Sequence, residues 1–167
     1  MLDTVEHYLH NSCELTFIDP HTKLLADLIG SAAHRVQIFE KPVQQVPLAT
    51  FDSLEAGDIL FIDSTHVMRT GGDVCFELFE IFPRLTNGVI VHIHDIFWPF
   101  EYPRQWVLNE NRSWNEIYAI RAFLTENDEW RIVLFSDYLA KLEAGMILET
   151  YPAFLKNSGV SLWIERC

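Results

Sequence analysis

The stretch Gly88–Asp95, GVIVHIHD, decides the fold class of this chain. A β-branched apolar run with no carboxylate before its last position is typical of a strand buried in a parallel sheet. The run ends in two histidines and an aspartate, and aromatic residues and prolines follow it. We therefore expect a buried strand whose carboxyl end carries polar side chains.

Further strands and helices alternate with this strand along the chain. The other predicted strands are Glu14–Asp19, Arg35–Phe39, Asp58–Asp63, Trp130–Phe135 and Val160–Glu165. The predicted helices are His21–Ile29, Asp73–Leu85, Ser113–Thr125 and Ser136–Ala144. This alternation predicts an α/β fold with a mostly parallel sheet and helices on both faces.

Three finer expectations concern single elements. The continuous run Asp58–Asp63, DILFID, predicts a strand buried on both faces. The helix Asp73–Leu85 is expected to bury an apolar face, which comprises Phe76, Phe79, Ile81 and Phe82. Glu116 follows Ser113 by three residues, a spacing that predicts a capping box at the start of the next helix.

Composition excludes several classes of partner. The net charge is −12 over 167 residues, and no Lys/Arg cluster opposes it, so nucleic acid and anionic membranes are poor partners. Three widely spaced cysteines without a CxxC pair favour a reducing compartment over a disulfide framework. We expect a soluble cytoplasmic protein with one domain, residues 1–167.

Polar residues follow three of the predicted strands. Asp19 lies at the end of the first strand and His21 follows it, Asp63 lies at the end of DILFID and His66 follows it, and GVIVHIHD ends in His94 and Asp95. Ligands of open α/β sheets bind at the carboxyl ends of the strands, so this coincidence indicates a site. Asp63 and His66 suit a metal ligand and a general base, although Asp63 could equally form a turn beside a surface histidine.

The histidines of GVIVHIHD are not equivalent in this interpretation. Period-two geometry places His92 and His94 on one face and Asp95 on the other. His92 lies deeper in the apolar run and is expected to be a hydrogen-bonded core histidine. His94 and Asp95 lie where the strand frays and can turn toward the crevice. The aromatic segment after them either walls a pocket or packs under a loop.

Four stretches, read in order, resemble the class I S-adenosylmethionine-dependent methyltransferases, and the closest likeness is to bacterial sugar and small-molecule O-methyltransferases. The stretches are LTFIDPHTKLL, the segment from Val43 to Leu85, GVIVHIHDIFWPFEYPRQWV and WNEIYAIRAFL. The C-terminal GVSLWIERC is similar to the final strand of the family, which implies a Rossmann-like sheet with one antiparallel C-terminal strand.

The resemblance implies roles for individual residues. Asp19 matches the acid that binds the cofactor ribose, and Gln44 lies in the stretch that borders adenine. Asp63 matches the position beside the transferred methyl group, where related enzymes hold a divalent cation such as Mg²⁺. His66 stands where a basic residue often removes the proton. The second metal-binding acid follows the next strand, where this chain has His94 and Asp95.

The chain departs from the family at its first strand. No glycine-rich GxG loop follows a strand, so we expect the first strand and the loop to be missing. The missing strand would leave unpaired edges on its two neighbours. Those neighbours could pair directly, a partner such as a second copy of the chain could cover the edge, or the sequence could derive from a longer gene.

Three functions follow from these observations. The leading hypothesis is O-methylation of a sugar or other small hydroxyl compound, with a cation at Asp63 and Asp95 and with His66 or His94 as base. The alternative is a methyltransferase-fold relic or interaction module that binds no S-adenosylmethionine. A metal-dependent hydrolase that uses His92, His94 and Asp95 is a more distant alternative.

Overall fold

The computed structural model describes residues 1–30 and 36–167. The chain divides into two compact units, Met1–Pro47 and Leu48–Cys167, and each is considered by itself. No helix among the described residues has both the length and the apolar character needed to cross a membrane.

The first unit contains a pair of parallel strands with helices beside them in the sequence. Its elements are α1 (Leu2–His7), β1 (Leu15–Ile18), α2 (Lys23–Ile29), β2 (Val36–Phe39) and a 3₁₀ turn at Val43–Gln45. β1 and β2 are parallel, with Leu15 opposite Val36. Both strands lie where the sequence predicts them, except that Arg35 falls outside the described residues.

The second unit contains a four-stranded sheet. Its strands are β3 (Ile59–Ile62), β4 (Ile90–His94), β5 (Trp130–Phe135) and β6 (Ser161–Arg166), in the order β3-β4-β6-β5. β3 and β4 are parallel, whereas β6 is antiparallel to both β4 and β5. Three strands therefore run in one direction and the C-terminal strand runs against them, which confirms the predicted mostly parallel α/β sheet.

Helical segments connect these strands. They are α3 (Ala49–Asp52), α4 (Asp73–Phe76), α5 (Arg104–Leu108), α6 (Glu116–Leu124), α7 (Ser136–Leu142) and α8 (Ala144–Thr150). A π-helical turn, Glu77–Ile81, and a 3₁₀ turn, Phe82–Arg84, continue α4, and a 3₁₀ turn at Pro152–Lys156 precedes β6. The helix predicted over Asp73–Leu85 is therefore present as three successive helical forms.

One face of the sheet forms the core of this unit. Val91 and Ile93 of β4 and their neighbours Leu162 and Ile164 of β6 are all at most 1% exposed. The ring of Phe82 lies 5.5 Å from that of Phe123 and 5.3 Å from that of Trp130, which joins the end of α4 to α6 and β5. Burial of these side chains contributes about 1.5–3 kcal/mol each.

The other face is only partly buried, so the expectation for DILFID is wrong. Ile59 and Phe61 of β3 are 53% and 43% exposed. The register places Phe61, His92 and Trp163 side by side across three strands. Because successive side chains alternate between faces, only Leu60 and Ile62 of β3 share the face that forms the core.

Two expectations for the helices are also corrected. Phe79 is 61% exposed, and Leu78 instead is buried, because the π-helical turn changes the spacing of the apolar face. α6 begins after Asn115 without a side-chain cap, and Glu116 bonds elsewhere instead of forming a capping box.

Candidate functional site

The site in the second unit begins where β3 ends. Asp63 follows Ile62 directly, and the loop after it is tied to the start of α4. Asp73 accepts hydrogen bonds from the backbone N–H of Thr65 (2.9 Å) and from its hydroxyl (2.6 Å). A loop held at both ends by hydrogen bonds can present a side chain in one orientation.

The backbone of His66 is fixed from a second direction. Its φ is +58°, which a non-glycine residue rarely adopts and which the surrounding contacts must stabilise. Its carbonyl accepts hydrogen bonds from the N–H groups of Asn115 (3.0 Å) and Glu116 (3.1 Å). The Asn115 side chain also accepts a hydrogen bond from the N–H of Met68 at 2.6 Å. The start of α6 therefore holds this loop.

The imidazole of His66 is held by a buried carboxylate. Nδ1 lies 2.8 Å from Oε2 of Glu116, and the two residues are 5% and 2% exposed. The Trp114 ring lies 4.3 Å from the imidazole, between ring centroids, with its plane tilted by 40°. The Glu116 contact and the Trp114 ring leave the imidazole little freedom to rotate.

The other imidazole nitrogen faces two carboxylates at neighbouring strand ends. Nε2 of His66 lies 3.4 Å from Oδ1 of Asp63 and 3.9 Å from Oδ2 of Asp95. Asp95 follows the last residue of β4 and has a φ of +56°, so the chain turns there, as the sequence predicts. β3 and β4 are adjacent and parallel, which explains why their carboxyl ends meet at one place.

These contacts decide the direction of the His66 pKa. Burial lowers the pKa of His66, but the hydrogen bond and charge of Glu116 and the charges of Asp95 and Asp63 outweigh burial and raise it. Burial, together with the charges of Asp73 and Asp63, raises the pKa of Glu116 overall, and the hydrogen bond and charge of His66 only partly oppose that rise. Because several acids face His66, the direction that governs the pair is the raised pKa of the imidazole.

A second buried acid, Glu77, lies close to this pair. Burial and the charges of Glu116 and Asp73 raise the pKa of Glu77 to about 8, against a partial opposing effect of its bond with Ser64. The Ser64 hydroxyl donates that hydrogen bond at 3.3 Å. Glu77 is therefore predominantly protonated at neutral pH, and it adds little negative charge beside Glu116.

The histidines of β4 occupy different surroundings. His94 Nε2 lies 3.7 Å from Asp95 Oδ1, so His94 shares the same strand end. His92 is buried, as predicted, but the expectation of a hydrogen bond is wrong because neither ring nitrogen has a hydrogen-bond partner among the described residues. Its ring instead stacks on Phe61 at 4.2 Å and meets the edge of Trp163 at 4.5 Å.

The second unit thus brings together four of the six predicted site residues: Asp63, His66, His94 and Asp95. Asp19 and Gln44 belong to the first unit. Asp19 follows β1, where its Oδ1 accepts a hydrogen bond from the N–H of His21 at 2.6 Å. A partly exposed carboxylate at a strand end fits a group with paired hydroxyls, such as a ribose.

The donor set does not fit a metal ion. Across residues 1–30 and 36–167, no group of three or more His, Cys, Asp or Glu side chains is placed to hold one. Asp63 and Asp95 instead approach the same imidazole nitrogen. A cation at Asp63 and Asp95 stays a prediction.

The aromatic segment after β4 packs mainly as core. Phe97 and Tyr102 are 9% and 5% exposed, and Phe97 meets Trp106 edge to face at 5.0 Å between ring centroids. Trp106 in turn lies 5.4 Å from Trp114, the residue that packs on His66. The segment thus packs against Trp114, which in turn contacts the imidazole of His66.

A mostly parallel α/β sheet with helices is consistent with a Rossmann-like fold. The chain matches the model of the methyltransferase domain family over residues 2–96, more than half of its length. It therefore belongs to this methyltransferase family, whose typical cofactor is S-adenosylmethionine. No curated protein and no solved structure matches the chain.

The sequence interpretation missed Glu116 as a site residue. Glu116 is fifty positions from His66 and lies beyond the matched residues 2–96. Its spacing from Ser113 suggested a helix cap, which accounts for an acid without any further role. The sequence did carry a signal for this role. Glu116 lies in the first turn of a helix shortly after the aromatic Trp114, and an acid in that position can face a neighbouring strand end.

Proposed function

We propose that the chain transfers a methyl group from S-adenosylmethionine to a hydroxyl group of a sugar or other small molecule, with His66 as the proton acceptor. The observation that carries the proposal is the position of His66 Nε2 between Asp63 and Asp95, at the carboxyl ends of two adjacent strands. Family membership supports the reaction type, and the imidazole supplies a base whose pKa the neighbouring acids raise.

The proposed chemistry requires one proton transfer. S-adenosylmethionine, when bound, supplies an electrophilic methyl group on a sulfonium. The acceptor oxygen attacks that methyl carbon while its own proton passes to Nε2 of His66, so that the new O–C bond forms as the C–S bond breaks. Asp63 and Asp95 stabilise the imidazolium that results, because both carboxylates face Nε2.

The remaining predicted residues are assigned to binding. Asp19 would accept hydrogen bonds from the ribose hydroxyls, and Gln44 would lie in the stretch beside the adenine. Asp63 would lie near the methyl group, and His94, which is 36% exposed at its side chain, would contact the acceptor beside Asp95. These assignments follow from the match to the family, and Asp19, Asp63 and His94 also lie at strand ends.

Broader features of the protein are proposed on the same grounds. Residues 1–167 would form a single methyltransferase-like domain. A homodimer would cover an unpaired sheet edge. A cytoplasmic location agrees with three free cysteines, Cys13, Cys75 and Cys167.

Calorimetric titration with S-adenosylhomocysteine, with and without Mg²⁺, tests cofactor binding. We expect micromolar binding, and Asp19→Asn should weaken it by about 10-fold or more because a charged hydrogen-bond acceptor is lost. Asp27→Asn is the matched control, since Asp27 is an exposed aspartate of α2 in the same unit. Absence of binding to the unmodified chain would contradict the proposal and favour an interaction module.

Turnover is tested with a panel of hydroxylated small molecules that includes sugars and phenols. Release of S-adenosylhomocysteine reports methyl transfer whichever acceptor reacts. We expect at least one hydroxyl compound to react and its deoxy analogue to be inert. If the protein binds the cofactor product but methylates no hydroxyl compound, the proposed acceptor class is wrong.

A further inference from the structure

We propose that Glu116 is a positioning residue for the methyl transfer, which acts by holding the proton of His66 on Nδ1 and leaving Nε2 free to accept the substrate proton. The inference rests on the proposed function, because it assigns a role within that same site. It adds a residue that lies outside the segment matched by the family, residues 2–96.

The first argument is geometric. A neutral imidazole carries one proton, and the hydrogen bond made by one nitrogen decides which nitrogen holds it. Nδ1 of His66 lies 2.8 Å from Glu116 Oε2, whereas Nε2 lies 3.4 Å or more from Asp63 and Asp95. The short contact is therefore the one that determines the tautomer, and an ionised Glu116 selects the proton on Nδ1.

The second argument concerns which of the neighbouring buried acids is ionised. Glu116 faces an imidazole, while Glu77 is bonded by a neutral serine hydroxyl. Two neighbouring carboxyl groups in a buried place do not both ionise readily, and the one that contacts an imidazole N–H at 2.8 Å is better stabilised as a carboxylate than the one that contacts only a hydroxyl. Glu116 also belongs to the first turn of the nine-residue helix α6, where the helix dipole favours negative charge.

The third argument is rigidity. The backbone N–H groups of Asn115 and Glu116 bond the carbonyl of His66, so the helix that supplies the carboxylate also fixes the residue it contacts. The remaining charged groups that face the imidazole are Asp63 and Asp95, and both lie on the Nε2 side. Nδ1 is thus held by Glu116, whereas Nε2 is the nitrogen proposed to accept the substrate proton.

The test is the ¹⁵N NMR spectrum of the imidazole of His66, recorded at a pH where the ring is neutral. We expect the Nδ1–H tautomer in the unmodified protein. Glu116→Leu should shift the population toward Nε2–H, and Glu116→Gln should retain the Nδ1–H form in part, because its amide oxygen still accepts a hydrogen bond. Glu77→Gln is the matched control, and it should leave the tautomer unchanged.

Kinetics provide the second readout once an acceptor is known. Glu116→Leu should lower kcat by about 10-fold or more with KM for the acceptor little changed, because proton transfer and not binding is affected. Glu116→Gln should restore part of kcat.

An Nε2–H tautomer in the unmodified protein would overturn the inference, even if Glu116→Leu fails to fold. A loss of kcat in Glu116→Leu that equals the loss in Glu77→Gln would also overturn it. The NMR result does not depend on turnover. A protein with the expected tautomer and no methyl transfer would therefore retain the Glu116 contact and contradict only the proposed function.

Discussion

His66 and His92 are buried to nearly the same extent, at 5% and 6% exposure, yet their surroundings move their pKa values in opposite directions. Burial lowers the pKa of both. At His66, the hydrogen bond to Glu116 and the charges of three acids raise it overall. At His92, burial and the charge of His94 lower it to about 4, and Asp63 only partly opposes them. The comparison shows that partners, more than burial, decide the charge of a histidine here.

The two histidines also differ in their place in the sheet. His92 lies inside β4, where the pleat places its ring between Phe61 and Trp163 and where no donor or acceptor reaches its nitrogens. His66 lies in a loop after β3, where side chains from the loop, from the end of β4 and from α6 converge. His92, in the interior of a strand, therefore makes aromatic contacts, whereas His66, beyond a strand end, contacts polar side chains from several segments.

The largest expected effect is on turnover. His66→Asn should lower the rate of methyl transfer by about 10²- to 10⁴-fold, because it removes the proton acceptor. His92→Phe should retain most of the activity, because Phe preserves the stacking on Phe61. Both variants are compared by release of S-adenosylhomocysteine and by thermal unfolding. If His66→Asn and His92→Phe both fold and lose activity equally, the proposed difference between the two histidines is contradicted.

The next largest effect is expected on the free energy of unfolding, through the pKa of Glu77. Its folded pKa of about 8 exceeds its ordinary value of 4.5, so its contribution to stability is fully present below pH 4.5 and is lost as the pH rises toward 8. Glu77→Gln should therefore gain stability relative to the unmodified protein as the pH rises, by about 3 kcal/mol at pH 7. Urea unfolding at pH 5 and pH 7 measures this difference, and a gap that does not widen would contradict it.

His92 predicts a stability effect of the opposite pH dependence. Its folded pKa of about 4 lies below the ordinary 6.5, so the unfolded chain binds the proton first and stability falls as the pH drops from 6.5 toward 4. Between pH 7 and pH 5, protonation of His92 in the unfolded chain should lower the free energy of unfolding by about 2 kcal/mol, and His92→Phe should remove this loss. The control is His94→Phe, which removes a more exposed histidine from the same face. Parallel pH curves for His92→Phe and the unmodified protein would contradict the assigned surroundings of His92.

Much of the fold was predictable because it follows from local patterns. The apolar runs that form β3, β4 and β5 are continuous and short, so their type and position are evident in the sequence. The exposure of Phe61 and of Phe79 was not, because it depends on which elements cover each face. The π-helical turn at Glu77–Ile81 alters the helical spacing in a way that the sequence period does not indicate.

The candidate site was predictable in one respect and not in another. Strand ends locate Asp63, His66, His94 and Asp95 near one another, because parallel neighbouring strands end at the same edge. The role of Glu116 depends on a contact across fifty residues, and its pairing with Nδ1 depends on the αL backbone of His66. No local pattern specifies such a contact.

The opposite pKa shifts of His66 and His92 are tested most directly by a pH titration of the histidine ring resonances by NMR, from pH 4 to pH 9. In one sample it compares His66, the proposed base, with His92, its equally buried counterpart, and His66→Asn and His92→Phe assign their signals. We predict that His66 titrates above pH 6.5, that Glu116→Gln lowers this pKa, and that His92 stays neutral until about pH 4. A His66 that titrates below pH 6.5, or at the same pH as His92, would contradict it.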